Sequence, residues 1–268
     1  MGRPLIALAL LLLTIWASVP LRAEESKLAI AKRAVTAEAK RYLRDAQSMT
    51  RWDQRQWRRF GEGVAAVGVV YALDKPLYDA VQRNRSDFTD DLSKVVTPFG
   101  GRRAENISAL LIVAGVWSHD DNLRDAGRDS LEAEIIAGGV VTPLLKRAFG
   151  RARPIQDEGN SSFHPFSSTH QSFPSGHATN AFAFATAIAG HYDNWLVPTI
   201  VYSIATGVAM SRVNDRAHFP SDVLAGALIG RGIAKALVHR HHSRNATWVI
   251  TPAMLDGRPG MLIHLTTR

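Results

Sequence analysis

The chain has 268 residues, 32 Lys and Arg against 24 Asp and Glu, and no Cys. That length suffices for one large domain with a real core, and 46% apolar residues exclude wholesale disorder. The absence of Cys excludes disulfides, thiolate metal sites and a cysteine nucleophile.

Residues 1–23 carry Arg3, an unbroken apolar run from Leu5 to Leu13, and Ala23 ahead of Glu24 and Glu25. This is the pattern of a secretory signal peptide, so the chain is expected to be exported, in keeping with a Cys-free periplasmic protein. A basic exported protein is drawn to anionic membrane surfaces and phosphorylated substrates. Nothing resembles a nucleic-acid module.

Residues 24–60 are expected to form a basic helical arm. Leu28, Val35, Tyr42 and Met49 recur every seven residues, which places them along one helical stripe. A solvated helix packed by that stripe is the plainer reading, and peripheral contact with a membrane the alternative.

Apolar helical segments follow at about 61–73, 107–118, 130–148, 178–190, 195–210 and 222–238. The expectation is an all-α catalytic domain over 61–240, a compact helical bundle of about six core helices. Most of the apolar runs fall short of the roughly 20 residues that span a bilayer. Trp195 to Ser211 comes nearest. With a mean hydropathy of −0.07, the mature protein is expected to be soluble or peripherally held. The tail, 241–268, has β-branched runs at Thr247–Leu255 and Met261–Thr267 around Asp256-Gly257-Arg258-Pro259-Gly260, which predicts a C-terminal β-hairpin. His239, His241 and His242 read as a solvated helix end rather than a metal site.

Three motifs carry chemistry. In the first, Lys146 and Arg153 stand seven residues apart, and on a continuous helix they share a face. Two cations facing one site suit a phosphate. Arg151, on another face, is the expected control, and Arg153-Pro154 ends the helix.

The second motif is Pro174-Ser175-Gly176-His177 before an apolar helix. Ser175 suits an N-cap, and Gly176 lets an anion approach the backbone. The helix start offers free N–H groups, and His177 beside it can give a proton to a leaving oxygen. A capped helix with a half-buried His reads equally well from this tetrapeptide alone.

The third motif is Ser211-Arg212, His218 and Asp222. Pro220 fits a first helical turn, so Asp222 reaches back to the imidazole and leaves the other ring nitrogen as nucleophile or base. Arg212 adds a third cation. An isolated His–Asp pair would read as structural.

The ordered set Lys-x6-Arg-Pro, Pro-Ser-Gly-His, Ser-Arg-x5-His-x3-Asp resembles the signature of the type 2 phosphatidic acid phosphatase superfamily. That superfamily includes bacterial nonspecific acid phosphatases, lipid phosphate phosphatases and vanadium haloperoxidases. The motifs span residues 146–222 and match at every signature position. The resemblance implies a metal-independent, cofactor-free phosphatase acting on phosphate monoesters or lipid (di)phosphates. In it His218 would be the nucleophile that forms a phosphohistidine, Asp222 its orienting partner, and His177 the general acid. Lys146, Arg153, Arg212, Ser175 and Gly176 would hold the phosphoryl oxygens. The rivals are a vanadium-dependent haloperoxidase and a non-catalytic phospholipid-binding protein; the complete His177, His218 and Asp222 set argues against the second, since binding alone needs no nucleophile. The polar segment 155–173, with Phe163, His164, Phe166, His170 and Phe173, is expected to border the site.

Overall fold

The computed structural model describes residues 53–255 and 258–267, with side chains described for 53–242. The signal peptide expected at 1–23 and the arm expected at 24–60, as far as residue 52, lie outside the described residues. From residue 53 to residue 245 the chain is built mainly of helices: α1 (Gln54–Ala72), α2 (Asp74–Arg83), α3 (Asp87–Val96), α4 (Arg102–Ser118), α5 (Asp121–Glu134), α6 (Thr142–Phe149), α7 (Gly176–Ala189), α8 (Leu196–Asn214) and α9 (Pro220–Asn245). The all-α expectation therefore holds. The hairpin over 247–267 remains an expectation.

Local chemistry sets the helix starts. The Asp53 side chain accepts the Gln56 backbone N–H at 2.7 Å while the Gln56 side chain accepts that of Asp53 at 2.8 Å. This reciprocal cap starts α1 at residue 54, so Arg55, Arg58 and Arg59 belong to α1. Ser86 and Thr89 repeat the device at α3. Asp120 caps α5, accepting from Leu123 N at 3.0 Å. α5 passes through a π-helical turn, Ile135–Val141, directly into α6. The apolar run predicted at 130–148 is thus the join of two helices. α2 and α3 were not foreseen, because they are short and carry polar residues on most of their surface.

α7 is the central helix and packs against α5, α8 and α9. Its sequence explains this. Ala178, Ala181, Ala183, Ala185 and Ala187 are buried, so neighbouring backbones approach closely. On α9, Gly226 faces the Ser175 carbonyl and Gly230 the Thr179 carbonyl, and a Cβ at either position would run into that backbone. Two glycines one helical turn apart therefore set how near the start of α9 lies to the start of α7. Two small apolar clusters complete the core: Ala178, Ala209, Val213 and Val223, and Ala181, Ala185, Ala205 and Val208.

Many large apolar side chains face outward: Leu110, Val113 and Trp117 on α4, and Leu196, Ile200 and Ile204 on α8. Each trio follows helical spacing and forms a stripe. By length and composition α8 is apolar enough to cross a membrane, and 28% of its most apolar window is buried.

The C-terminal end of α9 departs from the expected solvated helix end. His241 is buried and its Nδ1 lies 2.5 Å from Asp129 Oδ1; His191 Nε2 lies 2.9 Å from Asp129 Oδ2. Burial pulls the Asp129 pKa up, but the two imidazoles outweigh it and hold the carboxyl at about 2. The pairing ties α5, the end of α7 and the end of α9 together.

Candidate active site

The three motifs meet at the N-terminal ends of α7 and α9. Ser175 N donates to the Asp222 carbonyl at 2.9 Å, which joins the second motif to the third through the backbone. α9 begins at Pro220, so His218 sits just ahead of it and Asp222 in its first turn. His218 and Asp222 are both buried.

The link between His218 and Asp222 differs from a direct imidazole–carboxylate hydrogen bond. His218 Nδ1 stands 3.8 Å from Asp222 Oδ2. Ser172 reaches both: its Oγ donates to Asp222 Oδ2 at 2.6 Å and lies 3.4 Å from His218 Nδ1. Asp222 Oδ2 also accepts the Phe219 N–H at 2.8 Å. Burial pushes His218 down to about 4, helped by the positive charge of Lys146 and Arg153 and opposed by Asp222. His218 is therefore a neutral imidazole near neutral pH, the form with a lone pair to offer. Burial works to raise Asp222, but His218, Arg151 and Ser172 outweigh it and keep the carboxylate ionised.

The first motif is not one continuous helix. α6 ends at Phe149, and Gly150 adopts the left-handed conformation at φ 57°. A Cβ on Gly150 would collide with the His164 carbonyl, so the turn requires glycine. Arg153 follows in extended conformation, its N–H held by Gln156 Oε1 at 2.7 Å. Helical spacing therefore does not align Lys146 with Arg153. Burial brings the Lys146 pKa down to about 8, and the positive charge of Arg153 adds to the depression. Lys146 Nζ donates to the Gln171 carbonyl at 2.5 Å.

Arg151, expected to be an uninvolved control, is fully buried. All five of its N–H groups have acceptors. Nη1 reaches Asp222 Oδ1 at 2.6 Å and Ser221 Oγ at 2.8 Å; Nη2 reaches Asp74 Oδ2 at 2.6 Å and the Asn160 carbonyl at 2.5 Å; Nε reaches that carbonyl at 3.0 Å. Its guanidinium also stacks over Phe219, 4.4 Å from the ring centroid, and over Tyr71 at 4.9 Å. Asp74 in turn accepts both the Ser221 N–H and its hydroxyl. Sequence reading missed Arg151, Asp74 and Ser172. Gly150 was the available signal for Arg151, since a glycine helix stop turns the next residue off the predicted face.

His177 is the second residue of α7. Burial drives its pKa down to about 4, with Arg212, Lys146 and Arg153 adding to the depression in that order. Each of the three adds positive charge that disfavours the protonated imidazole. Arg212 is held by Thr97 Oγ1 at 2.9 Å and Asp215 Oδ2 at 3.0 Å, while its Nε is buried with no hydrogen-bond partner. Ser175 stands at the N-cap position but makes no capping hydrogen bond; its buried Oγ is also unpartnered. Gly176 lies beside Lys146, where an added Cβ would come to 3.9 Å from Lys146 Cε. Unsatisfied donors, a helix start and three cations around two imidazoles make an arrangement that favours a tetrahedral anion.

Residues 131–246 match the family described as the PAP2 superfamily. The chain is 46% identical over 100 residues to a lipid A 1-phosphatase of Rhizobium johnstonii, covering 36% of this chain and 40% of that protein. It thus spans well under half the length of that relative. Among solved structures it is similar to LpxE of Aquifex aeolicus, with a TM-score of 0.50 and 23% identity over 62% of this chain and 95% of that one. It is also similar to a transmembrane PAP2 type phosphatidylglycerolphosphate phosphatase of Bacillus subtilis, with a TM-score of 0.54 and 24% identity over 70% of this chain and 94% of that one. The two structures support the fold, and the three motifs, residues 146–222, fall within the region that matches the PAP2 superfamily.

Proposed function

We propose that this protein is a phosphoric ester hydrolase that removes a phosphate group from a membrane lipid. The observation that carries the reading is that Ser175 Oγ and Arg212 Nε are both buried with no hydrogen-bond partner, while Gly176 at the start of α7 lies beside Lys146.

Each step follows from the chemistry of these groups. The three cations, Ser175 and the Gly176 amide hold the phosphoryl oxygens, and their field meets the charge that develops there in the transition state. Neutral His218 attacks phosphorus with Nε2, and the phosphorus–oxygen bond to the alcohol breaks. Asp222, with Ser172, fixes the opposite edge of the ring and stabilises the cation formed. The bound phosphate dianion offsets the cations that depress His177 and raises its pKa, so His177 is protonated in the complex and gives that proton to the departing alkoxide. It then takes a proton from water, which attacks the phosphohistidine and releases inorganic phosphate and free His218. The positive field is supplied by side chains, so the reaction at phosphorus asks for no metal.

The lipid preference rests on the relative named as a lipid A 1-phosphatase and on an apolar groove beside the site. Phe99, Ile107, Phe184, Val201 and Ile204 line that groove between α4 and α8. The turn next to it, Gly100-Gly101, packs against His177. The exposed stripes on α4 and α8 continue the apolar surface, which suits work at a bilayer after export to the periplasm. The test is phosphate release from detergent-dispersed lipid A 1-phosphate and phosphatidic acid against soluble monoesters. Faster turnover of the lipids is expected; equal or better turnover of soluble monoesters contradicts the lipid preference. Halide oxidation with vanadate and peroxide, in the same preparation, would reveal the haloperoxidase rival.

A further inference from the structure

We propose that Glu158, His164 and His170 form a binding site for one divalent transition-metal ion of the zinc class, on the segment that leads into the active site.

The three side chains offer ligand atoms that all lie within 4.8 Å of one another. Glu158 uses its two oxygens separately: Oε2 is 3.1 Å from His164 Nε2 and Oε1 is 3.0 Å from His170 Nε2. Both imidazoles thus turn the same ring nitrogen to one carboxylate, with ring centroids 4.2 Å apart. Two imidazoles and one carboxylate are a common zinc donor set. Zinc at about 2.0–2.2 Å from its ligands holds them roughly 3.4 Å apart in a tetrahedron, and the ligand atoms of all three side chains already lie within 4.8 Å of one another. Ser162 Oγ, 2.8 Å from Glu158 Oε2 and 2.9 Å from His164 Nε2, stands where a fourth ligand or its water would be held.

The surroundings orient the donors. His170 Nδ1 faces Ser167 Oγ at 2.8 Å and Thr169 Oγ1 at 3.0 Å, so with its proton on Nδ1 the ring keeps Nε2 free to ligate. The backbone is fixed as well. His164 N donates to the Gly150 carbonyl at 2.7 Å, and Ala152 N to the Ser162 carbonyl at 3.0 Å. Asn160, two residues from Glu158, gives its carbonyl to buried Arg151.

The position has a consequence. Gln171, next to His170, gives its carbonyl to Lys146, and Ser172 joins Asp222 to His218. An ion at this site clamps the segment that carries both contacts, without touching the phosphate pocket. This goes beyond the proposed hydrolase activity, and its test needs no turnover.

Tag-free full-length protein is titrated with cobalt(II), whose visible absorption reports tetrahedral coordination, followed by zinc competition. One saturable equivalent with tetrahedral bands, displaced by zinc, is expected. The bands should vanish in His164→Ala/His170→Ala and weaken in Glu158→Gln, with unchanged thermal melting of the metal-free proteins. They should persist in His218→Ala and in His241→Ala. No saturable cobalt binding by the folded wild-type protein would overturn the site, leaving an ion-pair cluster only. So would binding that survives loss of both His164 and His170.

Discussion

Arg151 Nη1 lies 2.6 Å from Asp222 Oδ1, and both side chains are fully buried. The same guanidinium holds Asp74 at 2.6 Å, so one cation bridges two buried acidic side chains. Asp222 therefore takes its position from behind as well as from His218, and the fork geometry of arginine is what spans both acids.

Arg151→Ala should destabilise the protein by about 3–5 kcal/mol, the usual consequence of removing one partner from a buried ion pair. Arg151→Lys should recover part of the stability but not the activity, because an ammonium cannot bond both carboxylates in one plane. Arg147→Ala, at an exposed position four residues earlier, should change neither. Thermal melting and phosphate release check this together. Full activity in Arg151→Lys would contradict the role assigned to the fork.

Ser172→Ala tests the relay between Asp222 and His218. Losing a hydroxyl bonded to a charged group should lower kcat by roughly 10- to 100-fold. Asp222→Asn should lower it more, on the order of 10² to 10⁴, by presenting the wrong hydrogen-bonding edge to the imidazole. Equal losses in the two variants would mean that Ser172 carries the whole interaction.

The candidate set of His177, His218 and Asp222 with three basic residues comes from ordered local motifs, around helix starts that the structure places at Gly176 and Pro220. What stayed hidden depends on chain reversals. Lys146 and Arg153 were paired by helical spacing, but Gly150 breaks the helix that was to align them. That same break buries Arg151. Asp74 belongs to a helix pair too polar to register as core, and nothing local to it announces a partner 77 residues away. His241 was read as solvated because its partner, Asp129, comes from another helix.

The histidine pKa values set the pH dependence. Free His177 is pushed down to about 4 by burial and three cations. A bound phosphate dianion offsets those cations, so the pKa must rise in the complex. The limb reporting loss of the His177 proton should therefore lie at higher pH in kcat than in kcat/KM, since the first reports the complex and the second the free enzyme. Coincident limbs would argue that His177 does not face the phosphate.

Glu134 gives a stability prediction apart from catalysis. It is buried, its Oε2 accepts from Ser108 Oγ at 3.0 Å, and burial raises its pKa to about 8 from an ordinary 4.5. Below about pH 4.5 both folded and unfolded states hold the proton. As the pH rises toward 8 the unfolded chain gives it up first, so stability is lost across that window. Glu134→Gln should remove this slope. Melting temperatures of both proteins from acid to neutral pH check it, and parallel curves would contradict the raised pKa.

The central claim is covalent catalysis by His218, and the direct measurement is to trap the intermediate. In His177→Ala, an aryl phosphate with a good leaving group should still phosphorylate the enzyme, because its phenolate departs without an acid. Hydrolysis of the intermediate then lacks its base and slows. Rapid quenching under alkaline conditions, followed by intact and peptide mass spectrometry, should show one phosphoryl group on His218, labile to acid. The double variant His177→Ala/His218→Ala should show none. A folded His177→Ala enzyme that turns over the aryl phosphate with no phosphoryl group on His218, or a phosphoryl group retained when His218 is replaced, would contradict the account.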